Sequence, residues 1–197
     1  MRETPDPAVA AASTDDGGLV VYPTETVYGL GADALDADAV SRVFEAKRRD
    51  RDKPVSMAVP TVESALDYTH PTASERAFMH EFLPGPVTVV VERATAVPDV
   101  LTAGRDRVGV RVPDCEPALA LLAGTGPLTA TSANVSGRES ARRVADLDPE
   151  VRNATAVALD TGETAGGTPS TVVDVTAGQV HRRGAAVADV EGWLDAH

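Results

Sequence analysis

Cysteine occurs once, at Cys115, so the chain has no internal disulfide, no CxxC pair and no thiolate metal site. Aromatic residues make up only 4% of it, which leaves the core to Val, Leu and Ala and favours buried strands covered by alanine-rich helices. Histidine is scarce too. His70, His80, His181 and His197 have no metal-ligand spacing, and no G-x-S-x-G nucleophile elbow is present. No run approaches the roughly 20 apolar residues that cross a bilayer. Met1 to Gly18 lacks the apolar heart of a signal peptide, so a cytoplasmic protein without membrane contact is expected. Lysine is the rarest cation: Lys47 and Lys53 alone, at the two ends of K-R-R-D-R-D-K, in a chain of net charge −12. Acidity on that scale disfavours broad contact with a phosphate backbone, whereas a short cationic cluster suits a local anion site.

With 197 residues, 43% of them hydrophobic, the chain fits one domain with a real core. Residues 1–17 read as a flexible or short-helical segment, with a helix over Ala8 to Ser13, and 18–197 as the folded domain. Apolar runs predict strands at Gly18–Tyr22, Val55–Val59, Val87–Glu92, Val108–Val112, Leu128–Thr131, Thr155–Leu159, Thr171–Val175 and Gln179–Arg182. Helical spacing predicts Ala37–Arg48 behind an Asp36 cap, Val62–Tyr68, Ser74–Leu83, Pro117–Ala123 and Ala188–Ala196. Strands and helices interleave, yet the late strands follow one another without room for helices. The fold class is therefore α/β with a mixed sheet. Gly162 to Pro169 reads as a mobile surface loop.

Four segments carry polar groups where loops leave strands. Thr24 and Thr26 sit in P-T-E-T-V-Y-G-L-G, just past the first buried strand, where α/β sheets expose loop amides and hydroxyls; a tight turn needing glycine explains the segment equally. Continuing the Val40, Val43, Phe44 stripe places Lys47 at its core-facing end, where a lysine needs an anion, and Arg49 and Lys53 follow in the loop; simple charge at a helix C-terminus is the alternative. In V-G-V-R-V-P, Gly109 and Arg111 share one face, so glycine leaves room above an arginine that needs a partner, unless Arg111 is an edge residue reaching solvent. In T-S-A-N-V-S-G, Ser132 and Asn134 point to one side of an extended segment, with Ser136 and Ser140 nearby; an Asx turn is the alternative. Ser170 stands at the entrance of a late strand, and Arg182 returns toward the same mouth.

Taken in order, these segments resemble the YrdC/Sua5 family of threonylcarbamoyl-AMP synthases. The resemblance rests on P-T-E-T-V-Y-G-L-G, a K-x-R at Lys47-Arg48-Arg49, K-P-V, P-G-P-V-T-V-V, V-G-V-R-V-P, an S-x-N at Ser132-Ala133-Asn134 followed by V-S-G, and P-S-T-V-V-D-V. It covers roughly residues 18 to 184. It implies a twisted mixed sheet flanked by helices around a large, electropositive concave cleft. It also implies an enzyme, a nucleotidyltransferase joining L-threonine, bicarbonate or CO2, and ATP into threonylcarbamoyl-AMP and pyrophosphate. The product would pass to a transfer machinery that makes N6-threonylcarbamoyladenosine in tRNA, with at most a weak contact to tRNA itself.

Residue by residue, the resemblance assigns threonine to Thr26, Arg111, Ala130 and Ser170. It assigns ATP to Arg49, Lys53, Ser132, Ser140 and Arg182, with Lys47, Arg49, Ser132 and Asn134 as the catalytic signature. Mg2+ would travel with ATP. No general base is assigned; Glu25 is the nearest carboxylate in sequence. Asp50 stands where a proline commonly follows the K-x-R, and Ala58 near where the family carries a histidine. The chain resembles the short single-domain form, without the additional C-terminal domain of the longer one. Two competing readings are a double-stranded RNA or tRNA binding module of the same fold, and a carbamoyl-transfer domain acting on another acceptor; the latter would bring zinc-finger or acylphosphatase-like regions.

Overall fold

A computed structural model describes residues 1–14 and 17–197. In chain order the elements are β1 (Arg2–Thr4), α1 (Pro7–Ala11), β2 (Leu19–Tyr22), β3 (Gly29–Gly31), α2 (Ala37–Lys47), β4 (Ser56–Ala58), α3 (Val62–Ala65), α4 (Ala73–Phe82), β5 (Val87–Glu92), α5 (Asp99–Thr102), β6 (Arg107–Arg111), α6 (Glu116–Thr125), β7 (Leu128–Ser132), α7 (Pro149–Ala154), β8 (Thr155–Leu159), β9 (Thr171–Asp174), β10 (Gln179–Arg182) and α8 (Val187–Ala196). The strands form one mixed ten-stranded sheet in the order β1-β8-β2-β3-β7-β4-β6-β5-β9-β10. It is an α/β architecture, as the interleaved pattern predicts. Among the described residues no helix is long and apolar enough to cross a membrane.

Local chemistry explains the main boundaries. Asp36 caps α2 by accepting from the amides of Asp38 and Ala39, and the helix stops where Arg48 turns left-handed at φ 48°. A reciprocal capping box between Thr72 and Glu75 starts α4. The expected helix over Val62–Tyr68 closes after Ala65, because the following amides make tighter turns onto Glu63, Ser64 and Ala65 carbonyls. Four short elements were not legible: β1, β3, α5 and α7. In particular, the expected frayed start holds a strand pairing in parallel with β8, where Arg2, Glu3 and Thr4 face Val157, Ala158 and Leu159. The expected helix near Ala8–Ser13 is the shorter α1; positions 15 and 16 lie outside the described residues.

Two unequal layers of side chains flank the sheet. On one face Met57, Val89, Val110 and Val173 pack with Phe44, Phe78, Met79 and Trp193 of α2, α4 and α8, while Val21 and Leu30 meet Val43 and Val151 of α2 and α7. On the other face α1 and α6 cover only Val20, Tyr22, Val157, Leu159 and Leu128 near one end. The rest of that face, from β3 to β9, is left open as a trough.

Candidate active site

The trough encloses about 900 Å³. Its floor follows from strand alternation: Ala130 and Ser132 of β7, Ser56 and Ala58 of β4, Arg107, Gly109 and Arg111 of β6, and Thr88 and Val90 of β5 all point into it. Ladder register aligns them, with Ser56 opposite Ala130, Ala58 opposite Arg111 and Val90 opposite Gly109. Small residues occupy the centre, which makes the surface concave. Gly109 leaves space for its neighbours, since a Cβ would fall 2.3 Å from Ser56 Oγ and 3.0 Å from Thr88 Cγ2 and force them to shift. The room expected above Gly109 is thus partly filled by the chain's own serine hydroxyl.

Six cationic side chains line the walls, Arg49, Lys53, Arg105, Arg107, Arg111 and Arg182, against three carboxylates, Asp52, Asp106 and Asp174. Charge is therefore reversed inside a protein of net charge −12. Arg182 donates from Nε to the Ser170 carbonyl at 2.9 Å and from Nη2 to Ser170 Oγ at 2.8 Å. Burial, then Arg111, then Arg49, push the Arg182 guanidinium below the usual range, so three guanidiniums repel across one space. Such crowding is relieved by an anion. Arg49 is held by the Lys53 and Pro54 carbonyls at 2.9 and 2.8 Å, while Lys53 pairs at 2.6 Å with Asp50 at the exposed rim.

Arg111 is no edge residue. Its Nη2 donates to Glu25 Oε1 at 2.9 Å and to Thr26 Oγ1 at 2.8 Å, in a pair whose side chains are only 11% and 16% exposed. Thr26 Oγ1 lies 2.8 Å from Thr24 Oγ1, which donates to the Val27 carbonyl and accepts from its amide. The bland turn reading is therefore correct for Thr24, while Thr26 is aimed at Arg111. The glycines of that segment serve another purpose than positive φ: a Cβ on Gly29 would meet the Tyr22 ring at 2.9 Å. Ser170, buried, shares a 3.0 Å hydrogen bond with Thr88 Oγ1.

Lys47 departs from expectation. It is 1% exposed, and its partners are backbone carbonyls, those of Ser132 and Asn134 (2.7 Å), rather than an anion. The Lys47 carbonyl in turn accepts from the Ser136 amide at 2.8 Å. Lysine thus staples the S-x-N loop to the end of α2 from behind the cavity wall. Burial is the main cause, with help from Arg49 and opposition from Asp148, that lowers its ammonium from 10.5 to about 7. The native group then releases its proton more readily than the unfolded one. Charged Lys47 burdens the fold below about pH 7, and this burden fades as pH rises toward 10.5. Because the chain has two lysines, selective 13C-lysine labelling should give two ε-carbon titrations by NMR. One is expected near neutrality and the other, for Lys53, above the usual range, since Asp50 bonds its ammonium. Two ordinary curves would contradict the burial of Lys47.

Asn134 and Ser140 also stand outside the walls. Asn134 Nδ2 donates to the Val135 and Arg138 carbonyls at 2.8 and 2.9 Å, and Ser140 Oγ meets Asn134 Oδ1 at 3.4 Å. The structure therefore brings Thr26, Arg49, Lys53, Arg111, Ala130, Ser132, Ser170 and Arg182 to one cavity, and sets Lys47, Asn134 and Ser140 behind it. Sequence reasoning missed Glu25 as the partner of Arg111, and Arg107, which reaches Glu75 Oε1 at 2.5 Å and Asp174 Oδ1 at 3.2 Å. The period-2 spacing of Arg107, Gly109 and Arg111 is the signal for the latter. The Gly162–Pro169 loop lies mostly at the surface, as expected, and is anchored at two points: Thr164 is buried and donates to the Thr26 carbonyl at 3.2 Å, and the Gly166 amide bonds the Glu25 carbonyl at 3.0 Å. These contacts tie the loop down across the Thr26 segment.

Residues 13–184 match the Sua5/YciO/YrdC family, which carries the description "Telomere recombination". A threonylcarbamoyl-AMP synthase of Pyrococcus abyssi is 42% identical over 171 residues, 85% of this chain and 50% of that protein. One from Xanthomonas axonopodis pv. citri is 36% identical, covering 92% of this chain and all of its own length. The crystal structure of P. abyssi Sua5 complexed with L-threonine superposes with a TM-score of 0.84 at 36% identity, over 94% of this chain and 57% of that one. The chain thus spans about half the length of the Pyrococcus relative.

Proposed function

The chain belongs to the Sua5/YciO/YrdC family, and from that membership we propose that it is an L-threonylcarbamoyladenylate synthase, making the adenylate for N6-threonylcarbamoyladenosine formation in tRNA. The observation that supports this most is the meeting of Arg49, Arg111 and Arg182 with the hydroxyls of Thr26, Ser132 and Ser170 in one trough. Arg49, Lys53 and Arg182 supply cations for a triphosphate, with Ser132 as a hydroxyl donor. Arg111 supplies the counter-charge for the carboxylate of threonine, beside Thr26, Ala130 and Ser170. The relative captured with L-threonine supports threonine as a substrate.

In this reading threonine and bicarbonate condense to a carbamate, releasing a water and a proton. A carbamate oxygen then attacks the α-phosphorus of ATP, and the bond to pyrophosphate breaks. Little covalent help is needed, so the protein acts by holding three reactants together and by meeting charge on the phosphates. Asp52, the carboxylate in the wall beside Arg49 and Lys53, would help hold a Mg2+ carried in with ATP, which would neutralise charge on the phosphates. Lys47 is no base for threonine, since its nitrogen is bound to two carbonyls behind the wall.

The RNA-binding reading has less support. The basic run is dispersed: Arg48 pairs with Glu150 at 2.7 Å, Arg51 with Glu45 at 3.4 Å and Lys53 with Asp50, while Lys47 and Arg49 turn inward. A backbone binder needs such cations displayed together on the surface. The test is pyrophosphate release by the purified protein. It is expected to require threonine, bicarbonate and MgATP together, with threonylcarbamoyl-AMP appearing in equal amount. Release with threonine but without bicarbonate would indicate simple amino-acid activation instead.

A further inference from the structure

One polar group in the middle of the trough has no role in the assignments above. Ser56 begins β4 and faces Ala130 across the ladder to β7, while its second neighbour Ala58 faces Arg111. Its Oγ hangs over the Gly109 backbone, in the space a Cβ would take, and Thr88 Cγ2 borders the same point at 3.0 Å. Among the described residues Ser56 Oγ makes no hydrogen bond with protein, although it lines the cavity. Arg107 and Arg111 flank Gly109 on the same face of β6. Arg111 engages protein through Nη2 alone, and its Nε is buried without a partner. A small cup results, with a free hydroxyl at its base and arginines at the flanking positions of β6.

A guanidinium presents a planar fork that matches planar oxyanions, and a buried donor left without an acceptor is costly. The cup is central on the floor, one residue pair from Ala130 and Arg111, the groups assigned to threonine. In the synthase reading the one-carbon reactant has to sit beside threonine, and the cup adjoins the residues assigned to that amino acid. We propose that bicarbonate binds over Gly109, accepting a hydrogen bond from Ser56 Oγ in the positive field of the arginines that line the trough, and that Ser56 is a substrate-binding residue for it. The proposal rests on the synthase reading and names the seat of its third substrate. It also selects bicarbonate over CO2, because a neutral, apolar molecule gains little from a hydroxyl beside a guanidinium.

The variant that tests it is Ser56→Ala, which removes one oxygen and leaves the sheet backbone intact. Its KM for bicarbonate should rise roughly tenfold, as expected when a hydrogen bond to a charged ligand is lost, with the KM values for threonine and ATP within about twofold of wild type. Ser56→Thr, which restores a hydroxyl, should recover much of the difference. A pulse of dissolved CO2 should be used by wild type only after a lag for hydration. A bicarbonate KM unchanged in Ser56→Ala, a threonine KM that rises in step with it, or immediate use of the CO2 pulse overturns the proposal. Broadening of the 13C-bicarbonate line by wild type and not by Ser56→Ala needs no turnover. Should wild type make no adenylate, the synthase reading falls, and the line broadening alone then decides the bicarbonate seat.

Discussion

Arg111→Met is expected to lower threonine-dependent pyrophosphate release by about 10²–10³-fold and to destabilise the fold by about 3–5 kcal/mol. Both effects come from one geometry. Arg111 and Glu25 form a pair that is almost wholly withdrawn from water, so deleting the cation leaves a carboxylate with no compensating charge, one of whose oxygens already lacks a donor. The same deletion removes the cation assigned to the threonine carboxylate. The two effects separate in the double variant Arg111→Met/Glu25→Gln, in which no buried charge is stranded. Urea unfolding should show most of the stability restored, while the activity stays lost. If the single variant unfolds at the wild-type urea concentration, the Glu25 pair is not an important buried contact and the stability argument fails.

Lys47→Met should produce the second largest effect, through a different route. The side chains are similar in length, so the buried stripe of α2 remains filled, but the Ser132 and Asn134 carbonyls lose their donor. Each stranded acceptor costs about 1–3 kcal/mol. Since Ser132 lines the trough, a displacement of about 1 Å at the end of β7 suffices for a 10²-fold loss of kcat. Hydrogen exchange at the Ser136 amide, which donates to the Lys47 carbonyl, should quicken in the same variant. A direct contact between Lys47 and the triphosphate predicts another pattern, a raised KM for ATP with Ser136 exchange unchanged. Observing that pattern would refute the staple.

What the sequence made legible follows from the range of the forces involved. The strands β2, β5, β8 and β9 are largely apolar runs, β6 shows the alternation of Val108 and Val110, and α2 declares itself through the Asp36 cap and its 3.6-residue stripe. By contrast β1 and β3 are three residues each, R-E-T and G-L-G, and owe their extended form to the partners β8, β2 and β7 rather than to any local preference. Among the site residues, the resemblance assigned Arg111 and Ser170, and alternation placed Arg111 beside Gly109. It could not show that Lys47 turns to carbonyls, because the stripe fixes the side on which a lysine lies and not what waits for it there. Nor could it reveal Glu25 as the partner of Arg111, two positions far apart in the chain whose pairing depends on how β2 and β6 settle within one sheet.

The open trough is paved by a sheet face, and its main-chain amides are already engaged by neighbouring strands. Recognition in the middle of the floor therefore has to come from the tips of a few short side chains, those at positions 56, 58 and 130. Exchanging one of these for a bulkier or more polar residue alters which acid fits, while the ladder beneath keeps its pairing. Selectivity and foldability are thereby carried by different atoms of the same strands, which leaves substrate choice free to drift under selection without endangering the scaffold.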